Sequence, residues 1–223
     1  MTVINDLKIQ FDDLWRSAIH HEFIEQVDKR TLPIDKFRRY FMQDFVFIKD
    51  LVKTSSIAIS KAQNLADARE LSKFLNGILS AEGDLFEEIF DFLEITRRDY
   101  LNIEALPTTA AFGNFLIRLA YERSFEEICC ALFVTEAVYM DWGERLKNAS
   151  KGPVINGTQL EDFYKGWIEL HGKDVLGNFV KSMEQIVNSV PRNRYSDLAE
   201  VFERTLKYEI AFWDMSYSGE NWI

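Results

Sequence analysis

The segment Thr31–Lys53, with the sequence TLPIDKFRRYFMQDFVFIKDLVK, places the strongest constraint on how this chain folds. Pro33 stands at the start of a helical pattern, where the missing N–H group of proline costs nothing. From residue 37 onward apolar residues recur every three or four positions, which predicts an amphipathic helix that runs on to about Ala62. The apolar stripe comprises Phe37, Phe41, Phe45, Ile48 and Val52, broadened by Tyr40, Phe47 and Leu51. Asp44 lies on the same face. Because burying an unpaired carboxylate costs several kcal/mol, Asp44 is expected either to hydrogen-bond a neighbouring helix or to take part in chemistry.

Three further predicted helices each carry one acidic residue on an apolar stripe. These residues are Glu82 on a helix from Ala68 to about Phe92, Glu136 on a long helix capped by Ser124, and Glu209 on a last helix from about Arg194 to Met215. An apolar environment raises the pKa of a carboxyl group, which suits general acid–base catalysis. The alternative is that a carboxylate bonds to a helix end, and for Glu82 we favour this structural role.

The remaining sequence extends the helical pattern over most of the chain. Helices are predicted over Leu7–Glu25, 109–122, 160–170 and 175–190, with an irregular connection at RRDYLNIEALP and a loop at SKGPVING. No segment shows the alternation of a strand, and only 10 glycines and 4 prolines interrupt the 223 residues. We therefore predict an all-α fold, a bundle of roughly seven to nine helices, in a single domain over residues 1–223.

The charge of the chain limits its partners. With 26 basic and 36 acidic residues the net charge is −10, which argues against nucleic acid or an anionic membrane surface as a partner. The N-terminus lacks a basic start followed by an apolar core, and no long apolar run is present, so a cytoplasmic protein is expected.

Several kinds of catalytic site do not match the sequence. Di-iron carboxylate bundles require histidines that follow a glutamate by three positions, and none of the three histidines does so. A catalytic zinc site is not expected either, because the chain offers too few ligands for it. The glycine spacings of phosphate and dinucleotide loops and the turn of serine hydrolases are missing. The adjacent Cys129 and Cys130 offer neither a disulfide framework nor a spaced metal motif. We therefore expect no metal and no cofactor.

The chemistry that remains is a pocket of carboxylates and aromatic rings. The candidate aromatic residues are Tyr40, Phe47, Phe112, Tyr139, Tyr208 and Phe212. Carboxylates accept hydrogen bonds from ring N–H and amino groups, and aromatic faces sandwich a flat ring, so such a pocket suits a small planar, nitrogen-rich ligand. The alternative is that these rings are simply core, as most aromatic residues of the chain must be.

Five segments together resemble the TenA, or thiaminase II, family. They are TLPIDKFRRYFMQD, PTTAAFGNF, FEEICCALFVTEAVYMDWGERL, WIELHG and KYEIAFWDMSY, and the match is collinear from about Trp15 to Tyr217. The resemblance implies a haem-oxygenase-like all-α fold without haem, commonly assembled as a homotetramer. It also implies a hydrolase that releases 4-amino-5-hydroxymethyl-2-methylpyrimidine from degraded thiamin, in thiamin salvage.

The same resemblance implies roles for four residues. Asp44 matches the family's aspartate at the amino side of the pyrimidine. Glu209 matches the glutamate at the ring nitrogen, which acts as acid and base. Tyr139 matches a tyrosine beside the nucleophile, and Phe212 matches a ring that packs on the substrate.

The sequence also departs from the family pattern. Thr135 stands where the family has its nucleophilic cysteine, with Glu136 beside it. Phe47, Phe112 and His171 each replace a tyrosine. This pattern resembles the branch of TenA that lacks the cysteine, in which a glutamate acts near the vacant position, so thiolate attack on thiamin itself is not expected.

Our hypothesis is a hydrolase of small aminopyrimidines that uses carboxylates instead of a cysteine. The predicted catalytic residues are Glu209, Glu136 and Tyr139, and the predicted substrate-binding residues are Asp44, Phe47, Phe112, Thr135, His171 and Phe212. Cys129 lies about 9 Å along the helix axis from Thr135, too far to replace the nucleophile. Two other classes remain open, a pyrimidine-binding protein without catalysis and a regulator of the same family.

Overall fold

In a computed structural model of the chain, the described residues 2–148 and 159–222 form α-helices joined by short connections, and these residues contain no strand. The helices are α1 (Val3–Gln10), α2 (Asp12–Ile19), α3 (Glu22–Asp28), α4 (Ile34–Lys61), α5 (Leu65–Gly77), α6 (Gly83–Phe92), α7 (Arg97–Leu101), α8 (Pro107–Glu122), α9 (Phe125–Asn148), α10 (Gln159–Leu170), α11 (Lys173–Asn188) and α12 (Tyr195–Ser218). A π-helical turn (Ile78–Glu82) joins α5 to α6, and a 3₁₀ turn (Arg192–Arg194) precedes α12. The predicted all-α class is confirmed, while the predicted loop SKGPVING lies outside the described residues.

The prediction of seven to nine helices was wrong, because the N-terminal region is divided more finely than its apolar pattern indicates. The predicted helix Leu7–Glu25 is three helices, α1 to α3. The chain turns at Phe11, and again at His20–His21, where the His21 Nδ1 atom accepts the N–H of Phe23 at 3.1 Å and caps α3. The apolar spacing continues across both turns, so periodicity alone does not reveal them.

The connection that we predicted as irregular also contains a helix. Thr96 and Asp99 form a capping box in which each side chain bonds to the backbone N–H of the other, and this pair starts α7. A helix of five residues has too few positions for an apolar stripe, and α7 buries none of its residues. In the sequence this helix is indicated by its capping residues rather than by apolar periodicity.

Helix α4 is the central element, and it has the predicted extent, with Ala62 as its C-cap. It packs against α5, α8, α9 and α12. The contact with α8 is close because residue 113 is glycine: a Cβ there would collide with the carboxylate of Asp50. This approach brings Phe47 of α4 and Phe112 of α8 to a ring-centroid distance of 4.7 Å.

The predicted helix from Ala68 to Phe92 is interrupted in the structure. The Asn64 side chain caps α5 by accepting the N–H groups of Ala66 and Asp67, both at 3.0 Å. Helix α5 ends at Gly77, and the π-helical turn then widens the backbone before α6 begins. The side chain of Glu82 lies outside the described part of the structure.

The described helices are too short or too polar to cross a membrane. The longest, α4, has 28 residues and carries charged side chains along its length. Its apolar face is instead covered by the other helices of the bundle.

Candidate active site

A cavity of about 260 Å³ lies between α4, α5, α8, α9, α11 and α12. It is lined by all nine residues that the sequence predicts for a site, and these are Asp44, Phe47, Phe112, Thr135, Glu136, Tyr139, His171, Glu209 and Phe212. The bundle therefore brings together residues that lie as far apart in the chain as Asp44 and Phe212.

Three carboxyl groups share this cavity, each from a different helix. Asp44 of α4 is 7% exposed and Glu209 of α12 is 3% exposed, and Glu136 comes from α9. Burial raises the pKa of Asp44 to about 7 and that of Glu136 to about 8. The pKa of Glu209 lies well above its usual range because of burial, with a further contribution from the charges of the other two carboxyl groups. Near neutral pH Asp44 and Glu136 are therefore each present in both protonation states and can act as donors and as acceptors.

Positive charge is scarce around these carboxyl groups. Of the described residues that line the cavity, Lys73 is the one with a permanently cationic side chain. Its Nζ atom lies 2.7 Å from Oε1 of Glu70 at the mouth of the cavity. The electrostatics of the site therefore favour a ligand that brings hydrogen-bond donors or a positive charge.

Two tyrosine hydroxyls connect the walls of the cavity. The hydroxyl oxygens of Tyr139 and Tyr40 are 3.1 Å apart, and Tyr40 hydrogen-bonds the side chain of Asp44, which holds the Asp44 pKa lower than burial alone would place it. Burial raises the pKa of Tyr139 well above its usual range. Tyr139 is therefore a neutral hydroxyl in the cavity.

Thr135 lies where the sequence resemblance placed the missing nucleophile. Its Oγ1 atom is 3.2 Å from Oε1 of Glu136 and 3.1 Å from the carbonyl oxygen of Leu132, so its single proton has two acceptors within reach. A hydrogen bond from Thr135 lowers the pKa of Glu136, against the larger effect of burial. The threonine therefore supports the carboxylate beside it.

His171 adds a neutral imidazole to the wall. Its Nδ1 atom is 2.8 Å from the carbonyl oxygen of Trp167, which can only accept, so the proton is on Nδ1. Burial lowers the pKa of His171 to about 4. Residue 143 must be small here, because a Cβ at Gly143 would lie 2.7 Å from the His171 carbonyl oxygen.

Three phenylalanine rings form the apolar walls. The Phe47 ring lies 4.7 Å from that of Phe112 and 5.7 Å from that of Phe212, measured between centroids. Phe112 is backed by Tyr208, which stacks on it at 5.1 Å with an interplanar angle of 7°. Tyr208 and Tyr40 were expected pocket residues, but neither lines the cavity, and Tyr208 lies behind its wall. Together the carboxyl groups and rings suit a flat, polar ring.

The mouth of the cavity was missed by the sequence reasoning. It is formed by Glu70, Lys73 and Gly77 of α5 and by Val175 and Asn178 of α11. These positions are wholly or partly exposed and lie off the apolar stripes, so nothing in the pattern distinguishes them from an ordinary helix surface.

A pair of rings closes part of this mouth from within. Phe74 of α5 and Phe179 of α11 stack at a centroid distance of 3.9 Å with an interplanar angle of 9°. Both residues occupy apolar positions, and the sequence signals them only as core.

The two cysteines take no part in the cavity. Cys129 and Cys130 are fully buried and are not among the lining residues. Burial raises the pKa of both thiols, so neither provides a thiolate near neutral pH. Across the part of the chain that is described, no group of three or more His, Cys, Asp or Glu side chains is arranged to hold a metal ion.

Comparison with known proteins identifies the family to which this all-α bundle belongs. Residues 8–219 match the TENA/THI-4/PQQC family, and the chain belongs to this family. The resemblance found in the sequence is thus confirmed for the family as a whole.

Two curated relatives described as aminopyrimidine aminohydrolases match the chain over most of their own length. An aminopyrimidine aminohydrolase of Bacillus subtilis (strain 168) is 27% identical over 93% of this chain and 86% of its own. An aminopyrimidine aminohydrolase of Helicobacter pylori is 26% identical over 92% of this chain and 94% of its own.

Solved structures agree with the fold. A TenA homologue from P. horikoshii OT3 superposes with a TM-score of 0.86 at 24% identity, covering 99% of this chain and all of its own. A protein described as a TenA family transcription regulator, from Silicibacter sp. TM1040, gives a TM-score of 0.85 at 21% identity, covering 97% and 96%. The predicted haem-oxygenase-like all-α fold is therefore confirmed.

Proposed function

We propose that this chain hydrolyses small aminopyrimidines derived from thiamin, releasing 4-amino-5-hydroxymethyl-2-methylpyrimidine for thiamin salvage, and that it does so without a cysteine nucleophile. The observation that carries the proposal is the convergence of Asp44, Glu136 and Glu209 on one aromatic-walled cavity. Two curated relatives described as aminopyrimidine aminohydrolases support the same class of reaction.

Binding uses two of the carboxyl groups and the rings. Asp44 accepts a hydrogen bond from the exocyclic amino group of the pyrimidine. Burial raises the pKa of Glu209 well above its usual range, which favours the protonated form, and this form donates a hydrogen bond to a ring nitrogen. The faces of the ring are covered by Phe47, Phe112 and Phe212, with Thr135 and His171 completing the wall.

Catalysis uses the third carboxyl group. Glu136, with a pKa of about 8, is ionised in part of the molecules at neutral pH and removes a proton from the attacking water. Tyr139 donates a proton to the leaving nitrogen. The bond cleaved is the C–N bond of the 5-aminomethyl arm, or the amide of its N-formyl derivative.

The test is mass spectrometry of purified protein incubated separately with 4-amino-5-aminomethyl-2-methylpyrimidine, its N-formyl derivative and thiamin. Hydroxymethylpyrimidine from the first compound, or deformylation of the second, is the expected result. Release of the pyrimidine from thiamin would contradict the cysteine-free assignment.

A variant pair assigns the role of Glu136. Glu136→Gln is expected to lower kcat at least about 100-fold while still binding the pyrimidine, as loss of a general base does. The matched control is Glu203→Gln on α12, a partly exposed residue that is paired with Lys207 and does not line the cavity. Full activity of Glu136→Gln would refute its role.

A pyrimidine-binding protein without catalysis is the second candidate. It is favoured by one observation, the placement of both cysteines outside the cavity while Thr135 holds the position next to Glu136. Binding of the aminopyrimidine by calorimetry without any product over hours would establish it.

We also propose a cytoplasmic homotetramer, as the family resemblance implies. Exposed apolar side chains support an assembly, with Leu65 84% exposed and Tyr121 71% exposed. Light scattering coupled to size exclusion measures the mass, and a monomer at micromolar concentration would contradict the proposal.

A further inference from the structure

Tyr40 touches two groups of the proposed mechanism without lining the cavity. It lies on α4, one turn before Asp44, and is fully buried. Its hydroxyl hydrogen-bonds the Asp44 side chain, and its oxygen lies 3.1 Å from the hydroxyl oxygen of Tyr139. Asp44, Tyr40 and Tyr139 thus form a continuous chain of hydrogen bonds between two walls of the cavity.

The Tyr40 ring is held in one place by its neighbours. It stacks on Trp213 at 5.3 Å with an interplanar angle of 16° and meets Trp167 edge-on at 5.0 Å. Phe23 lies against it at 5.4 Å. Since the ring cannot swing away, the hydroxyl remains between Asp44 and Tyr139 in either protonation state of the site.

The direction of this chain follows from counting protons. An ionised Asp44 can only accept, so Tyr40 donates to it, Tyr139 donates to Tyr40, and the Tyr139 oxygen presents a lone pair to the cavity. A protonated Asp44 has a proton to donate to Tyr40. When it does so, Tyr40 donates to Tyr139, and Tyr139 points its own proton into the cavity. A proton at Asp44 thus makes available the arrangement in which the hydrogen-bonding role of Tyr139 is reversed.

We infer that Tyr40 is a positioning residue that couples Asp44 to Tyr139, so that the protonation state of Asp44 decides whether Tyr139 accepts or donates in the cavity. The coupling is a property of the free protein. Its use in catalysis rests on the proposed function.

In the proposed reaction the protons balance along this chain. The C–N bond of the arm breaks and a C–O bond to water forms, while the water gives its proton to the Glu136 carboxylate. The leaving nitrogen takes the proton of Tyr139. Tyr139 then receives the proton of Tyr40, and Tyr40 receives the proton of the Asp44 carboxyl group. The step ends with Asp44 ionised and Glu136 protonated, and exchange with solvent after product release restores the starting state.

Other ionisable groups face Asp44, and the coupling must be separated from them. Glu136 and Tyr139 face it from α9 and Glu209 from α12, His171 precedes α11, and Glu70 and Lys73 lie on α5 at the mouth. The neighbours contributed by α8 and α10, Phe112 and Trp167, carry no charge. A test that follows Tyr139 itself distinguishes the hydroxyl chain from the effect of these charges at a distance.

The first test uses the free protein, labelled with ¹³Cζ-tyrosine, in an NMR titration with pH. The Tyr139 signal is identified by its loss in Tyr139→Phe, and the Asp44 titration by its loss in Asp44→Asn. In the wild-type protein the Tyr139 signal is expected to move as Asp44 titrates. In Tyr40→Phe the amplitude of this movement is expected to fall by at least half and the Asp44 midpoint to rise, since a hydrogen bond that stabilises the carboxylate is gone.

Tyr164→Phe is the matched control. Tyr164 is also buried, and its hydroxyl bonds to the carbonyl oxygen of Leu32 at 3.4 Å, outside the cavity. This variant is expected to leave both the amplitude and the midpoint unchanged. An unchanged Tyr139 response in Tyr40→Phe, with circular dichroism showing a folded protein, would overturn the inference.

The second test is the pH dependence of turnover of 4-amino-5-aminomethyl-2-methylpyrimidine. Tyr40→Phe is expected to lower kcat about 10- to 100-fold, which is part of the rate enhancement that a general acid supplies, and to change KM less than threefold. In the wild type kcat is expected to fall as the pH rises through the Asp44 titration, and Tyr40→Phe is expected to remove this fall. Unchanged kcat and pH profile would overturn the role in catalysis. Absence of turnover in the wild type, with NMR coupling present, would refute the proposed function and support the coupling.

Discussion

Substitution of Gly77 tests whether substrate enters through the mouth of the cavity, which lies between α5 and α11. A Cβ at this position would have no other atom within 4 Å, and Gly77 lines the cavity. The side chain of a leucine there would fill on the order of 100 Å³ of a cavity of about 260 Å³. We expect Gly77→Leu to lower kcat/KM for the aminopyrimidine at least about tenfold, equivalent to about 1.4 kcal/mol.

Gly83 provides the matched control for this substitution. It begins α6 just beyond the π-helical turn, a Cβ there would meet only the Ile78 carbonyl oxygen at 4.0 Å, and it does not line the cavity. Replacing a helical glycine by leucine stabilises a helix by roughly 0.5–1 kcal/mol, so Gly77→Leu and Gly83→Leu are both expected to raise Tm by about 2–4 °C at most. Activity should then separate two variants of similar stability.

The assay is steady-state turnover followed by mass spectrometry, with thermal denaturation of both variants. A tenfold loss in Gly77→Leu beside unchanged turnover in Gly83→Leu is the expected result. Equal losses in both, or no loss in Gly77→Leu, would refute the assignment of this opening as the route of entry.

Three further perturbations act on stability. Raising the pH from 3.8 to about 7, the unfolded and folded pKa values of Asp44, should lower the free energy of unfolding by up to about 4 kcal/mol on account of this residue, because the folded state retains a proton that the unfolded state releases. Urea unfolding at several pH values measures the fall. Asp44→Asn should remove the part that comes from Asp44, while Glu136 and Glu209, whose pKa values are also raised, still contribute. Gln43→Ala should cost about 2–3 kcal/mol, since the buried amide bonds the Leu106 N–H at 2.8 Å and the carbonyl of residue 104 at 3.1 Å. Glu220→Ala should cost about 1 kcal/mol, since its carboxylate accepts the Thr108 N–H at 2.6 Å at the start of α8.

Each of these expectations has a contradicting result. The same pH dependence of stability in wild type and in Asp44→Asn between pH 4 and pH 8 would show that Asp44 ionises normally in the folded chain. A loss below 1 kcal/mol in Gln43→Ala would mean that water replaces both hydrogen bonds. An unchanged melting curve for Glu220→Ala would remove the proposed cap of α8.

The three carboxyl groups of the candidate site were predictable from the sequence because each of them interrupts an apolar stripe. Asp44, Glu136 and Glu209 all occupy positions that helical periodicity assigns to the core, and burial of a charged group there requires a reason. The aromatic walls followed from the family resemblance, which supplied Phe47 and Phe112 by position.

The mouth, the helix breaks and the Tyr40 bridge were not predictable in the same way. Lys73 and Asn178 stand at exposed positions where any polar residue is ordinary. The turn at Phe11 has no side-chain cap, and the turn at His21 depends on a local bond from the Phe23 N–H to His21 Nδ1, so neither turn changes the apolar spacing. Tyr40 was expected as part of the apolar stripe and as an aromatic residue of the pocket. Only the three-dimensional position of its hydroxyl shows that it joins Asp44 to Tyr139.

The scarcity of positive charge around the three carboxyl groups has a thermodynamic consequence for ligand uptake. Burial raises the pKa of Asp44, Glu136 and Glu209, so in the free protein the cavity retains protons near neutral pH. A cationic ligand favours their ionised forms and drives protons into the solvent as it enters. The heat measured on binding therefore includes the heat of protonating the buffer, and calorimetry in phosphate and in Tris should differ in proportion to the number of protons released. The acidic cavity thus makes the affinity for a cation rise with pH until the carboxyl groups have lost their protons.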